Sequence, residues 1–267
     1  MRALPRKLRD AWRDERGFTL IELLVASLAG IIVSAATGAI VIASVHFSSN
    51  FGNRVDSNQE GRVAMEKITQ ALNSSCVATG VTPLVGTPAP TGMVGGVASG
   101  SDASNVVFYS ALSDVATIEP NEVEISLTGT APSQQLVMYT YTNTNAATTP
   151  PPPPPWTFST TPTPTSGFVL LPNAAQATVN GSVLPVFQYY SYDTSTGLIN
   201  TTTPLATPLS ATDAAATAEV TISFEALPSN KGANLSARSA GANLSDSVVF
   251  KLTPASSAPN GSNTPCT

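Results

Sequence analysis

The chain has 267 residues, a formal net charge of −5 and only 11% charged residues, so a basic nucleic-acid-binding surface is disfavoured. Its one histidine, His46, lies beside an apolar run, and neither a Ser-His-Asp triad in a soluble site nor a multi-histidine zinc site can be built from it. The two cysteines, Cys76 and Cys266, are too few for a zinc cluster, while 42% hydrophobic residues suffice for a folded core.

Residues 1–17 read MRALPRKLRDAWRDERG. Arg2, Arg6, Lys7, Arg9, Arg13 and Arg16 outweigh Asp10, Asp14 and Glu15, and a long apolar stretch follows directly. The positive-inside rule keeps this end in the cytoplasm. From Leu23 to Val45 no residue is charged. That stretch exceeds the roughly 20 helical residues a bilayer core requires, which predicts a spanning helix with everything after about Ser48 outside the cytoplasm. Glu22 interrupts the apolar pattern. A carboxylate there either reaches the headgroups or has a partner. His46 falls at the outer membrane edge, with no function assigned to it.

Beyond Val45, apolar residues recur at Phe47, Phe51, Val55, Val63, Met65, Ile68, Ala71 and Leu72, close to a 3.6-residue period. This predicts that the helix continues to about Ser75, stopped by Asn73-Ser74-Ser75 and Gly80, with Gly52 and Gly61 as points where it softens. The second half is amphipathic and is expected to lie against a globular head. Within the membrane span, Ala26, Gly30, Ser34, Ala35 and Gly38 permit close helix approach.

Seven segments read as strands: Asn105–Ala111, Glu122–Leu127, Gln135–Thr142, Gly167–Leu171, Leu184–Tyr192, Ala218–Ala226 and Ser247–Leu252. The clearest alternation is Val220-Thr221-Ile222-Ser223-Phe224-Glu225-Ala226, suited to a half-buried antiparallel strand. Pro150 to Pro155 is a run of prolines expected to form a stiff surface loop. GANLS occurs at 232–236 and again at 241–245, which reads as a duplication in a loop. Asp193-Thr194-Ser195-Thr196-Gly197 reads as a β-turn, because it lacks the acidic density of a calcium loop. The predicted fold class is α+β, one long N-terminal helix on a mainly antiparallel sheet.

Arg16-Gly17-Phe18-Thr19-Leu20-Ile21-Glu22-Leu23-Leu24-Val25 resembles the processing and methylation motif of type IV prepilins. A basic leader ends in glycine, an aromatic residue follows, and a glutamate stands fifth after the glycine. Gln59-Glu60-Gly61-Arg62-Val63-Ala64 is similar to the segment that leads into the head of W-type minor pilins and J-type minor pseudopilins of type II secretion. Pro185-Val186-Phe187-Gln188-Tyr189-Tyr190-Ser191-Tyr192-Asp193 and the two final predicted strands resemble the same group. The stretch 80–183 resembles no named family.

The resemblance implies that a prepilin peptidase cuts between Gly17 and Phe18 and that the new amine of Phe18 is methylated. It implies that Glu22 pairs with the N-terminal amine of a neighbouring subunit during assembly. A disulfide between Cys76 and Cys266 is expected from the habit of pilins to bridge near the carboxy terminus, on the side of the membrane where disulfides persist. Two separate thiols are the alternative. The implied layout is a leader (1–17), a transmembrane assembly helix (18–47), an amphipathic helix (48–78), a β-rich head (79–253) with a proline-rich loop (149–165), and a tail (254–267).

The implied function is a minor type IV pilin-like structural subunit of a bacterial filament, not an enzyme. Its expected partners are prepilin peptidase, other pilin or pseudopilin subunits, an inner-membrane assembly platform and membrane lipid. No cofactor, metal or nucleic acid is expected. A type II secretion pseudopilin and a membrane-anchored adhesin or binding head are the alternatives.

Overall fold

The computed structural model describes residues 19–76, 82, 84–89, 95–97, 99–110, 120–131, 133–145, 155–228 and 241–250. The chain divides into two compact units, Met1–Asn50 and Phe51–Thr267. Helix α1 (Leu20–Asn73) is continuous and carries backbone into both. Gly52 and Gly61, expected to soften it, do not interrupt it.

In the first unit the apolar side chains of α1 are all exposed, from Leu20 and Ile21 through Ile31, Ile32 and Val33 to Ile42 and Val45. The helix is long and apolar enough to cross a membrane. Its hydroxyls are satisfied within the helix: Ser27 Oγ donates to Leu24 O (2.9 Å) and Thr37 Oγ1 to Val33 O (2.7 Å). Such back-bonding lets a polar residue sit in a span that offers no water.

The second unit is an α+β head. Strands β1 (Asn105–Ser110), β2 (Asn121–Thr130), β3 (Ser133–Tyr141) and β4 (Phe168–Gln176) form an antiparallel meander. A small hairpin follows, β5 (Thr178–Val179) with β6 (Ser182–Val183). Then come β7 (Phe187–Ser191), helix α2 (Ala211–Ala216), β8 (Thr217–Ala226) and β9 (Ala242–Val249). One edge of β8 is shared end to end, by β7 along Thr217–Ile222 and by β4 along Phe224–Ala226. Its other edge is lined by β9 over Glu219–Ala226.

Each of the seven predicted segments overlaps an observed strand, and three differences have physical causes. First, β4 runs past Leu171 to Gln176. Pro172, which has no N–H to give a ladder, sits where the register with β3 shifts between Leu136↔Leu171 and Gln134↔Ala174. Second, β9 begins at Ala242, so the second GANLS copy lies in a strand and not in a loop. Leu244 is drawn into the core, where it packs against Gly61, and it pairs with Phe224; Ser245 Oγ meets Ser223 Oγ at 3.0 Å. The first copy lies outside the described residues. Third, the Thr- and Ala-rich spacer before β8 contains α2, capped by Ser210, whose Oγ accepts from Asp213 N at 3.0 Å.

Asn180 and Gly181 form the turn between β5 and β6. Both have positive φ (52° and 81°), the pair a two-residue hairpin turn requires. Residues 193–197 form the expected turn: Asp193 Oδ1 accepts from Ser195 N at 2.7 Å and from Thr196 N at 3.3 Å, so its carboxylate is engaged locally.

The head has two apolar layers. In the larger, Ala64, Met65, Ile68 and Leu72 of α1 pack with Phe108, Ile125, Leu136, Leu171, Ile222 and Phe224 of the sheet. Of the predicted apolar repeat, Met65, Ile68, Ala71 and Leu72 meet the sheet here, while Phe47, Phe51, Val55 and Val63 are exposed. The smaller layer lies on the other side of β1. Val106 and Phe108 face the helix, whereas Val107 and Tyr109 face Val85, Val97, Trp156 and Phe158. Tyr109 stacks on Phe158 (centroids 5.6 Å apart) and meets Trp156 edge-on (5.7 Å). Trp156 thereby anchors the chain just after the proline run, most of which lies outside the described residues.

Candidate functional site

The helix start is the candidate site, and four residues build it. Thr19-Leu20-Ile21-Glu22 has the T-x-x-E spacing of a capping box, in which the side chains of the first and fourth residues satisfy each other's backbone. The Thr19 carbonyl accepts the first helical bond, from Leu23 N, at 3.2 Å. The Glu22 N–H donates to Thr19 Oγ1 at 3.3 Å. In return Thr19 N donates to Glu22 Oε2 at 3.0 Å and Thr19 Oγ1 donates to the same oxygen at 2.9 Å. Two otherwise orphaned donors at the helix N-terminus are satisfied.

This geometry holds the Glu22 carboxylate in the first turn, where the helix dipole favours negative charge. All its hydrogen bonds go to Oε2. Oε1 accepts none from the described residues. The arrangement fixes the carboxylate in place through one of its two oxygens. Chemically it can hold an ammonium group; it contains no nucleophile–base pair, and no metal-binding group of His, Cys, Asp and Glu occurs among the described residues.

Thr19 is legible as a cap from the T-x-x-E pattern before an apolar run. Gly17 and Phe18, the expected cleavage and methylation positions, lie outside the described residues. The small-residue row is present on α1, and a Cβ at Gly30 or Gly38 would meet nothing within 4 Å in this chain. That leaves the surface around both glycines open to a neighbouring helix.

Cys76 stands at the far end of α1. Its N–H donates to Tyr109 O at 3.0 Å, and Ser75 forms a bridge with Ser110, so the chain leaves the helix along the edge of β1. Cys76 is fully buried in the smaller apolar layer and is disulfide-bonded. Cys266 lies outside the described residues. His46 is exposed on α1.

Residues 12–38 match the prokaryotic N-terminal methylation motif. The match spans Gly17, Phe18, Thr19 and Glu22. It supports a type IV pilin- or pseudopilin-like subunit, a structural protein processed by prepilin peptidase, assembled with other pilin subunits and anchored in the inner membrane. No curated protein and no solved structure matches the chain.

Proposed function

We propose that this chain is a minor subunit of a type IV pilin-like filament, of the kind the W-type resemblance implies. The observation that carries the reading is the methylation motif over residues 12–38 together with a Glu22 whose Oε1 accepts no bond from the described residues. The subunit waits in the membrane with residues 1–17 on the cytoplasmic side. Prepilin peptidase hydrolyses the Gly17–Phe18 bond, and the freed amine of Phe18 is methylated. Glycine before the cut suits this step, because a residue without a side chain enters a protease cleft fully extended.

Assembly then follows from burial and charge. The apolar face of residues 18–47 leaves lipid for a bundle of subunit helices, aided by the small residues at 26, 30, 34 and 38. A carboxylate in that low-dielectric setting is costly alone and favourable beside an ammonium group. Glu22 Oε1 accepts from the Phe18 amine of a neighbour, which sets the axial register. The amphipathic stretch 48–78 joins this helix to the head, and a disulfide from Cys76 to Cys266 ties the tail to the helix end. The inner-membrane assembly platform is the remaining partner.

The test is to shear filaments from native cells and to quantify the chain and its N-terminus by mass spectrometry. A small fraction of the dominant subunit, beginning at methylated Phe18, is the expected result. A processed chain confined to the membrane would shift the assignment to a secretion pseudopilin. A chain that keeps residues 1–17 under normal expression would overturn the prepilin reading.

A further inference from the structure

Glu122 is a buried acidic residue with no cation among the described groups that act on it. It lies on β2 opposite Tyr109 of β1 and Tyr141 of β3, on the face of the sheet that carries the smaller apolar layer. Only 3% of the residue is exposed. Its carboxylate accepts the Val97 N–H, and the backbone of residues 95–97 lies directly over it. Gly96, at φ 68°, is approached so closely by that carboxylate that a Cβ there would overlap it. Gly95, at φ 83°, is crowded in the same way by the Phe158 carbonyl, and Gly96 N donates to Ser159 O at 3.2 Å. One carboxylate therefore fastens the 95–97 segment to the sheet, and that segment in turn packs against the chain carrying Trp156 and Phe158.

We propose that Glu122 is a pH-sensitive latch that fastens residues 95–97 over the second apolar layer of the head when protonated and loosens them when ionised. Of the titratable groups that face it among the described residues, Glu124 disfavours its negative charge, and Tyr109 and Tyr141 stay neutral. Glu124, two residues along the same strand, is a second carboxylate, itself raised by burial and held by a bond from Tyr141. Tyr109 from β1 has its hydroxyl pushed far up by burial and by Glu122, and that hydroxyl makes no hydrogen bond. Tyr141 from β3 is pushed up to about 12, by burial first and then by Glu124. Residues 95–97 and 156–158 contribute no ionisable side chain. Burial is the main cause that lifts the Glu122 carboxyl from 4.5 to about 7, and the single amide from Val97 only partly offsets it.

In the fastened state the proton is held until near neutrality. With the 95–97 segment lifted, water reaches the carboxylate and it ionises at its ordinary value. The two values imply that rising pH shifts the balance toward the lifted state by up to about 300-fold between pH 4.5 and 7, with no further change above.

The test is hydrogen–deuterium exchange of the full chain in detergent micelles, from pH 5 to 8.5, followed at residues 95–97 and corrected for intrinsic exchange. Protection of the Val97 amide is expected to fall about tenfold per pH unit below neutrality and to level off above it. Glu122→Gln, whose amide oxygen still accepts from Val97 but cannot ionise, is expected to give a flat profile. Glu124→Gln is expected to move the plateau to lower pH by removing the neighbouring charge. A flat profile in the wild-type chain overturns the proposal, as does the same slope in Glu122→Gln. Should Glu122→Gln not fold, the wild-type profile and the Glu124→Gln displacement decide it: an unmoved plateau in Glu124→Gln overturns it equally.

Discussion

The Glu22 carboxylate closes a ring on Thr19: Oε2 takes both the Thr19 N–H (3.0 Å) and the Thr19 hydroxyl (2.9 Å), while Oε1 accepts no bond from the described residues. This side chain starts the helix through Oε2, and the proposed assembly contact would use the other oxygen. Thr19→Val removes the capping hydroxyl, and with it one of the two bonds to Glu22 Oε2, while keeping the Glu22 side chain. The expected cost is about 1 kcal/mol at the first turn, seen as faster amide exchange over residues 19–23 in micelles. Unchanged exchange there would show that the cap does not hold the helix start.

Glu22→Val tests the assembly contact. Cleavage after Gly17 should proceed, because the leader and Gly17 are intact. Incorporation into sheared filaments should fall by about a hundredfold, the loss expected when a buried pair loses one member at about 3 kcal/mol. Wild-type levels of the variant in filaments would remove Glu22 from assembly.

Two glycines of α1 predict opposite signs for one substitution. A Cβ at Gly52 would meet nothing within 4 Å, so Gly52→Ala gains helix propensity alone and should stabilise by roughly 1 kcal/mol. A Cβ at Gly61 would lie 2.5 Å from Leu244 Cδ1 and 2.9 Å from Ala226 Cβ. The Leu244 tip can rotate, but Ala226 is fixed to the backbone of β8. Gly61→Ala should therefore destabilise the head by about 1–3 kcal/mol despite its better propensity. Urea midpoints of the two variants, which should move in opposite directions, check this.

Trp156→Ala should cost about 3–5 kcal/mol, the usual loss for truncating a fully buried large aromatic. Trp156 is 2% exposed and touches both Tyr109 and Phe158. A cost below 1 kcal/mol in a urea titration would mean that the smaller apolar layer contributes little to the head.

The global stability of the head should also depend on pH through Glu122. Its folded value is raised to about 7 from 4.5. A raised acid favours the fold while it is protonated, so this contribution is complete below pH 4.5 and is lost as pH rises to 7. The loss is on the order of 3 kcal/mol. Urea midpoints of wild-type and Glu122→Gln chains should converge at pH 4.5 and separate by pH 8, with the variant the more stable. Parallel curves would refute this.

The leader charge, the apolar run, Glu22 and the seven alternating segments were readable because each rests on local chemistry or a short period. The 3.6-residue apolar repeat names Met65, Ile68 and Leu72 of the face α1 buries, whereas Phe47, Phe51, Val55 and Val63 of the same repeat are exposed. The T-x-x-E cap at Thr19 is equally local and was there to be found. By contrast, the second GANLS copy becomes strand only because Leu244 finds Gly61 and Phe224, both distant in sequence. The same holds for β4 beyond Leu171, where a bulge accommodates Pro172.

The order of elements and the methylation motif were therefore written in the chain, since neighbouring residues suffice to specify them. The burial of both faces of β1, the pairing of β4 and β7 along one edge of β8, and the confinement of Glu122 under residues 95–97 were not. They arise where segments far apart in sequence close on one another, and burial of a charge or an aromatic ring is a property of that closure, not of any single stretch.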